Sequence, residues 1–194
     1  MTTPHQASLI SGVILFLITW SAGAQQTKSP VAGNVYSNAS LAFRYTVPSG
    51  LQDKTERFKS QIQEQAGALR TTQTLTVLLA MSSGPNDKDP MWGSLTIETY
   101  PRDGVPDADD ATAEAKMSAW VAHSKDPRAL PRSVVISGQK FSVSVFGLQE
   151  GNVRKAAVVW TTVRKHTLLS FAFAANDPEQ VKRLTESMKT LEFF

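Results

Sequence analysis

The last third of the chain constrains the fold most tightly. Phe141, Val143 and Val145 alternate with Ser142 and Ser144, a strict period of two that sets the three apolar side chains on one face of a strand. Gln149-Glu150-Gly151-Asn152 is a hairpin signal, and two long β-type runs follow, Val153 to Val163 and Thr167 to Ala174, joined at Arg164-Lys165-His166. Joints this short impose antiparallel pairing, because a parallel return needs a crossover of a dozen or more residues. A meander with one apolar face must be covered, so the remaining segments have to supply the covering layers.

Those segments alternate between strand and helix patterns. Val35-Tyr36 and Leu41 to Val47 read as short strands, the second with Leu41, Phe43, Tyr45 and Val47 on one face, stopped by Pro48-Ser49-Gly50. Asp53-x-x-Glu56 is a capping-box pattern, and Phe58, Ile62, Ala66 and Leu69 then recur at helical spacing. Residues 73–82 return to a β pattern, with Leu75, Val77, Leu79 and Met81 on one face. A Pro- and Gly-containing loop turns the chain into a strand from Ser94 to Tyr100. A helix is expected from Ala108 to Ser124, with Ala113, Met117, Trp120 and Val121 as its stripe and acidic residues at its start. Ser133 to Ile136 reads as a short strand. The final helix has Asp177 as cap, Pro178 at its first position, Gln180 completing the box, and Val181, Leu184, Met188 and Leu191 as its buried stripe. The expected fold is therefore α+β: one antiparallel sheet covered by helices on its faces, an α/β/α sandwich, forming a single domain over residues 35–194.

The N-terminus reads as an export signal. Leu9 to Trp20 is almost wholly apolar, and Ser21-Ala22-Gly23-Ala24 offers the small-x-small pattern for cleavage before Gln25. The run of about 12 residues is too short for a helix that crosses a ~30 Å hydrocarbon core. Residues 1–24 are thus expected to be a signal peptide and residues 25–34 a flexible polar leader. The expected location is the periplasm or the outside of a bacterial cell, with no stable membrane span after cleavage. The chain has no Cys, which excludes disulfides, thiolate metal sites, a Cys nucleophile and a lipid-modified Cys. Removal of 24 of the 194 residues leaves 170, enough for one domain with a core. The net charge of +3 is mild, and the basic residues are spread along the chain without aromatic interleaving, so nucleic acid is not an expected partner.

Four segments resemble the Mog1/PsbP-like superfamily, which includes exported bacterial domains of unknown function. The opening Tyr36-x-Asn38, followed by Phe43-x-Tyr45-x-x-Pro48, is similar to the start of that family. The central meander, the strand Leu168 to Phe173, and the terminal helix running into Leu191-Glu192-Phe193 are similar too. The resemblance implies an antiparallel sheet sandwiched by helices and a binding or accessory role, with no shared catalytic apparatus. No residue of this chain matches a binding motif of the family. Lipoprotein relatives carry a Cys after the signal, which this chain lacks.

Chemistry-bearing motifs are sparse. There is no nucleophile elbow, Ser-x-x-Lys pair or phosphate-binding glycine loop. His123 and His166 are too few for a His-rich zinc site and read as a helix end and a hairpin tip. Asp107, Asp109 and Asp110 fit the positive end of a helix dipole better than a Ca²⁺ loop. The candidate ligand-binding residues are Asp87, Asp89, Met91 and Trp92, in and after the loop 83–90: a carboxylate pair, then a Met and a Trp that either anchors a ligand or folds back as a lid on the core. Arg154-Lys155 and Arg164-Lys165-His166 form either one basic patch or two solvated turns. No catalytic residue, metal or cofactor is assigned. The leading expectation is an exported, non-catalytic binding or accessory domain for an unidentified protein or small molecule of the cell envelope. The alternative is a periplasmic hydrolase with a carboxylate-based site.

Overall fold

The computed structural model describes residues 31–32, 34–69, 76–84, 86–101, 132–150 and 153–194. The expected signal peptide, the helix over Ala108–Ser124 with Trp120 and His123, and the carboxylates Asp107, Asp109 and Asp110 lie outside the described residues.

Among the described residues there are two antiparallel sheets and only two α-helices. The small sheet holds β1 (Val31–Ala32), β2 (Val35–Asn38), β3 (Phe43–Thr46) and β11 (Glu192–Phe193), in the order β1-β2-β3-β11. The large sheet holds β4 (Gln52–Asp53), β5 (Thr76–Ser82), β6 (Gly93–Pro101), β7 (Arg132–Ile136), β8 (Gln139–Glu150), β9 (Val153–Arg164) and β10 (Thr167–Ala175). Its order is β4-β5-β6-β10-β9-β8-β7. The first strand, Val31–Ala32, falls inside the segment expected as a leader and pairs with β2.

The expected α/β/α sandwich is thereby overturned: the fold is β-rich, and much of the cover over the large sheet is a second sheet. The physical reason lies in the aromatic content of the short strands. Tyr36, Phe43 and Tyr45 alternate inward from β2 and β3, giving the small sheet an apolar face that must itself be buried. That face meets the large sheet through Phe171, whose ring centroid lies 5.8 Å from Phe43 and 5.5 Å from Tyr45. Phe193 of β11 completes the contact by stacking on Phe141 at 6.3 Å. The C-terminus also departs from expectation. Its helix ends early, and Glu192–Phe193 pair with Arg44–Phe43 as a strand.

The first helix, α1 (Thr55–Leu69), begins where Asp53 Oδ1 accepts the Thr55 N–H at 2.8 Å, while Glu56 pairs with Lys59 at 2.9 Å. The second, α2 (Pro178–Thr185), starts at Asp177, whose carboxylate accepts the Glu179 N–H at 3.1 Å, and continues as a 3-10 turn over Glu186–Thr190. Val181, Leu184 and Met188 are buried, as their spacing predicts. A Cβ at Gly93 would come within 2.8 Å of Gln180 Nε2, so the glycine lets α2 lie against the start of β6.

Register settles the faces. Phe141 and Val143 are buried as expected, but Val145 on the same face is 48% exposed, past the described pairing of β7 with β8, which runs to Val143. In β5 a register shift between Val77 and Leu79 breaks the expected alternation. Leu79 and Met81 lie opposite Ile97 and Leu95 on the core face, whereas Val77 lies opposite Glu98 on the other.

Candidate functional site

The loop 83–92 is built from short polar residues that bond their own backbone. Asn86 Oδ1 accepts the Lys88 N–H at 3.1 Å, and Asp89 Oδ1 accepts the Met91 N–H at 2.8 Å. The loop then closes over one end of the large sheet. There Trp92, Asn176 and Lys155 stand one residue past the paired positions Gly93, Ala175 and Ala156, in a row across β6, β10 and β9. Lys155 is 1% exposed. Its Nζ donates to Asp87 Oδ2 at 2.9 Å and lies 5.1 Å from the centre of the Trp92 ring. A buried ammonium of this kind needs its partners, since an unpaired one would cost several kcal/mol.

Two amides fix the loop from the side. Asn176 Nδ2 donates to the carbonyls of Asp87 (2.7 Å) and Asp89 (2.6 Å), and Gln180 Nε2 donates to the carbonyl of Met91 (2.7 Å). The outer atoms of the corner are less fully used. Trp92 Nε1, Asn176 Oδ1 and Gln180 Oε1 are buried without a hydrogen-bond partner.

The four residues expected from sequence therefore divide. Asp87 and Trp92 are buried and face Lys155, so the Asp87 carboxylate is committed to an ion pair and Trp92 lies under the loop. Asp89 and Met91 face outward, Met91 at 64% exposure. Lys155, Asn176 and Gln180 were missed. Lys155 had a legible signal: it shares a period-two face with Ala157, Val159 and Thr161. Grouping it with Arg154 as a turn residue hid that alternation. The one-patch reading of the basic residues also fails. Lys155 is buried, and Arg164 lies nine residues away along β9, roughly 30 Å at the rise of a strand.

A second polar feature crosses the same face nearer the opposite end. Ser142, Thr161, Ser170 and Glu98 are paired in turn across β8, β9, β10 and β6. Thr161 and Ser170 hydroxyls are 3.4 Å apart, and Glu98 Oε2 accepts the Tyr100 hydroxyl at 2.8 Å. Burial pushes the Glu98 carboxyl up to about 7, with the Tyr100 hydrogen bond opposing part of the shift. Burial also raises the Tyr100 phenol well above its usual range, and the neighbouring Glu98 raises it further. Glu98 was not singled out from the sequence, because Thr96, Glu98 and Tyr100 alternate with Leu95 and Ile97 and period two does not tell a solvated face from a buried one.

Among the described residues, the rows that hold the two buried carboxylates, Asp87 and Glu98, are set apart along the strands. Lys155, which holds Asp87, is six residues along β9 from Thr161, which shares a row with Glu98. That is roughly 20 Å at the rise of a strand. Carboxylate pairs that hydrolyse glycosides sit about 5–9.5 Å apart. Among the described residues no three His, Cys, Asp or Glu side chains are grouped to hold a metal ion. Among them, too, no helix is long and apolar enough to cross a membrane.

No protein-family model matches the chain, and no curated protein matches it. A crystal structure from Bacteroides thetaiotaomicron VPI-5482 is similar at a TM-score of 0.51 and 13% sequence identity. That likeness covers 84% of this chain and 48% of the other, so the chain spans about half the length of the Bacteroides protein. LpqN of Mycobacterium tuberculosis, described as involved in cell envelope biogenesis, is similar at a TM-score of 0.47 and 8% identity over 77% of this chain and 82% of that one. The first is a likeness of fold alone, and the second is too loose to add to it. Neither confirms the resemblance to the Mog1/PsbP-like superfamily.

Proposed function

We propose that this chain is an exported, non-catalytic binding or accessory domain that meets its partner through the outer side of the loop 83–92, chiefly Asp89 and Met91. Export rests on the apolar run Leu9 to Trp20 and on Ala22-x-Ala24. The observation that carries the binding role is the anchoring of the loop. Lys155, Asn176 and Gln180 hold its inner side while Met91 is left 64% exposed. A loop ordered before binding loses little conformational entropy on association. A flexible, polarizable Met at its tip adapts to a partner surface. The hydrolase reading is less well supported, because the row of Lys155, which holds Asp87, and the row of Thr161, which holds Glu98, are six residues apart along β9.

The test is site-specific photocrosslinking in the producing cell. A photoreactive side chain at Met91 should give a discrete adduct, and the same side chain at Lys189, also exposed, should not. Equal labelling at both positions, or none at Met91, would refute the loop as the contact surface. The intact mass of the recovered protein tests export separately: a chain beginning at Gln25 is expected, and retention of residues 1–24 would overturn it.

A further inference from the structure

The turn between β9 and β10 has a conformation that its residues resist. Thr167 pairs with Arg164, which leaves a two-residue turn of Lys165 and His166 with φ values of 46° and 61°. Positive φ at both positions is the turn normally made by Asn-Gly, because a Cβ crowds the backbone there. The neighbouring turn between β7 and β8 relieves that crowding in the usual way, with Gly138 at φ 74° after Ser137. The two turns lie at the same end of the sheet, since Gln139 Nε2 reaches Thr162 Oγ1 at 2.9 Å. The strained turn carries two basic side chains where a cheaper pair would serve the fold.

The tip is also well placed to touch something outside the molecule. Lys165 and His166 are exposed, and among the described residues neither makes an ion pair. The base of the hairpin is rigid: Arg164 Nε donates to the Leu41 carbonyl at 3.1 Å, and its guanidinium lies 4.8 Å from the Phe193 ring. We infer that this hairpin tip docks on an anionic lipid surface, with Lys165 and His166 facing the headgroup phosphates. Exposed cations on a turn suit a flat array of headgroup phosphates. This inference is independent of the loop 83–92.

The test is cosedimentation of the full chain with vesicles of phosphatidylglycerol and phosphatidylcholine, compared with phosphatidylcholine alone. Any contribution from the apolar run Leu9 to Trp20 is common to both. The wild-type chain should prefer the anionic vesicles, and added salt should weaken that preference. Lys165→Asn with His166→Gly installs the residues the turn favours, so this variant should melt higher than wild type. It should also bind anionic vesicles roughly fivefold more weakly, the factor for one basic side chain at such a surface. Equal binding of the wild type to both vesicles, unchanged binding by the turn variant, or a lower melting point for it would each overturn the inference.

Discussion

Glu98 is an ionisable group placed where charge is disfavoured, and its effect on stability has a definite sign. Its carboxyl is raised from 4.5 to about 7, chiefly by burial. The folded state therefore holds the proton more tightly than the unfolded chain. Its contribution is fully present below pH ~4.5 and is lost as the pH rises through about 7. Glu98→Gln keeps an acceptor for the Tyr100 hydroxyl and removes the ionisation. The variant should gain stability at pH 8, by about 3 kcal/mol at most, and gain little at pH 4. Urea melts across that range would show it. A variant with the wild-type pH profile would mean that Glu98 is not the group responsible. Lys155 shows the same principle with the opposite solution: it is as deeply buried but is matched by Asp87 and the Trp92 ring.

At the scale of elements, the strongest sequence signals were those that needed no distant partner. The Asp177 cap, Pro178 and the stripe of Val181 and Leu184 specify α2 locally, and the structure places these two residues in the core. Leu184→Ala should cost about 2–5 kcal/mol through lost transfer energy and a cavity. Ser142→Ala, half-buried on the opposite face of β8, should cost under about 1 kcal/mol. Denaturant midpoints of the two variants test the order, and Ser142→Ala being the worse would mean that the faces are wrongly assigned. Alternation alone was a weaker guide. It placed Val77 beside Leu79, because a bulge leaves no mark in a short run of apolar residues. It also buried Val145, because period two reports which face a residue occupies and not how far the cover extends.

At the scale of the whole molecule, Phe171 joins the two sheets. It is fully buried, with Phe43 and Tyr45 on one side and Phe141 at 6.3 Å within its own sheet. Phe171→Ala should cost about 3–5 kcal/mol. Because the sheets share one core, the loss should appear in both at once. Hydrogen exchange is the suitable measurement: protection should fall by the same amount at Tyr45 in β3 and at Phe141 in β8. A fall confined to one sheet would show that the two unfold separately.

The sequence by itself determined the meander, its antiparallel sense, the capped C-terminal helix and the face of most core side chains. Each of these follows from spacing or from a short joint, and both are properties of neighbouring residues. Only the tertiary structure decided that residues 35–46 and 192–193 join in a second sheet, which replaces part of the expected helical cover. It alone brought Asp87 to Lys155, 68 residues apart in the chain. It also enclosed Glu98 in a row with Ser170 and Thr161. These are cross-strand neighbours set by register between distant segments. A polar residue in an alternating strand reads alike whether its face meets water or protein, and burial on the far side of a sheet is decided by what packs there.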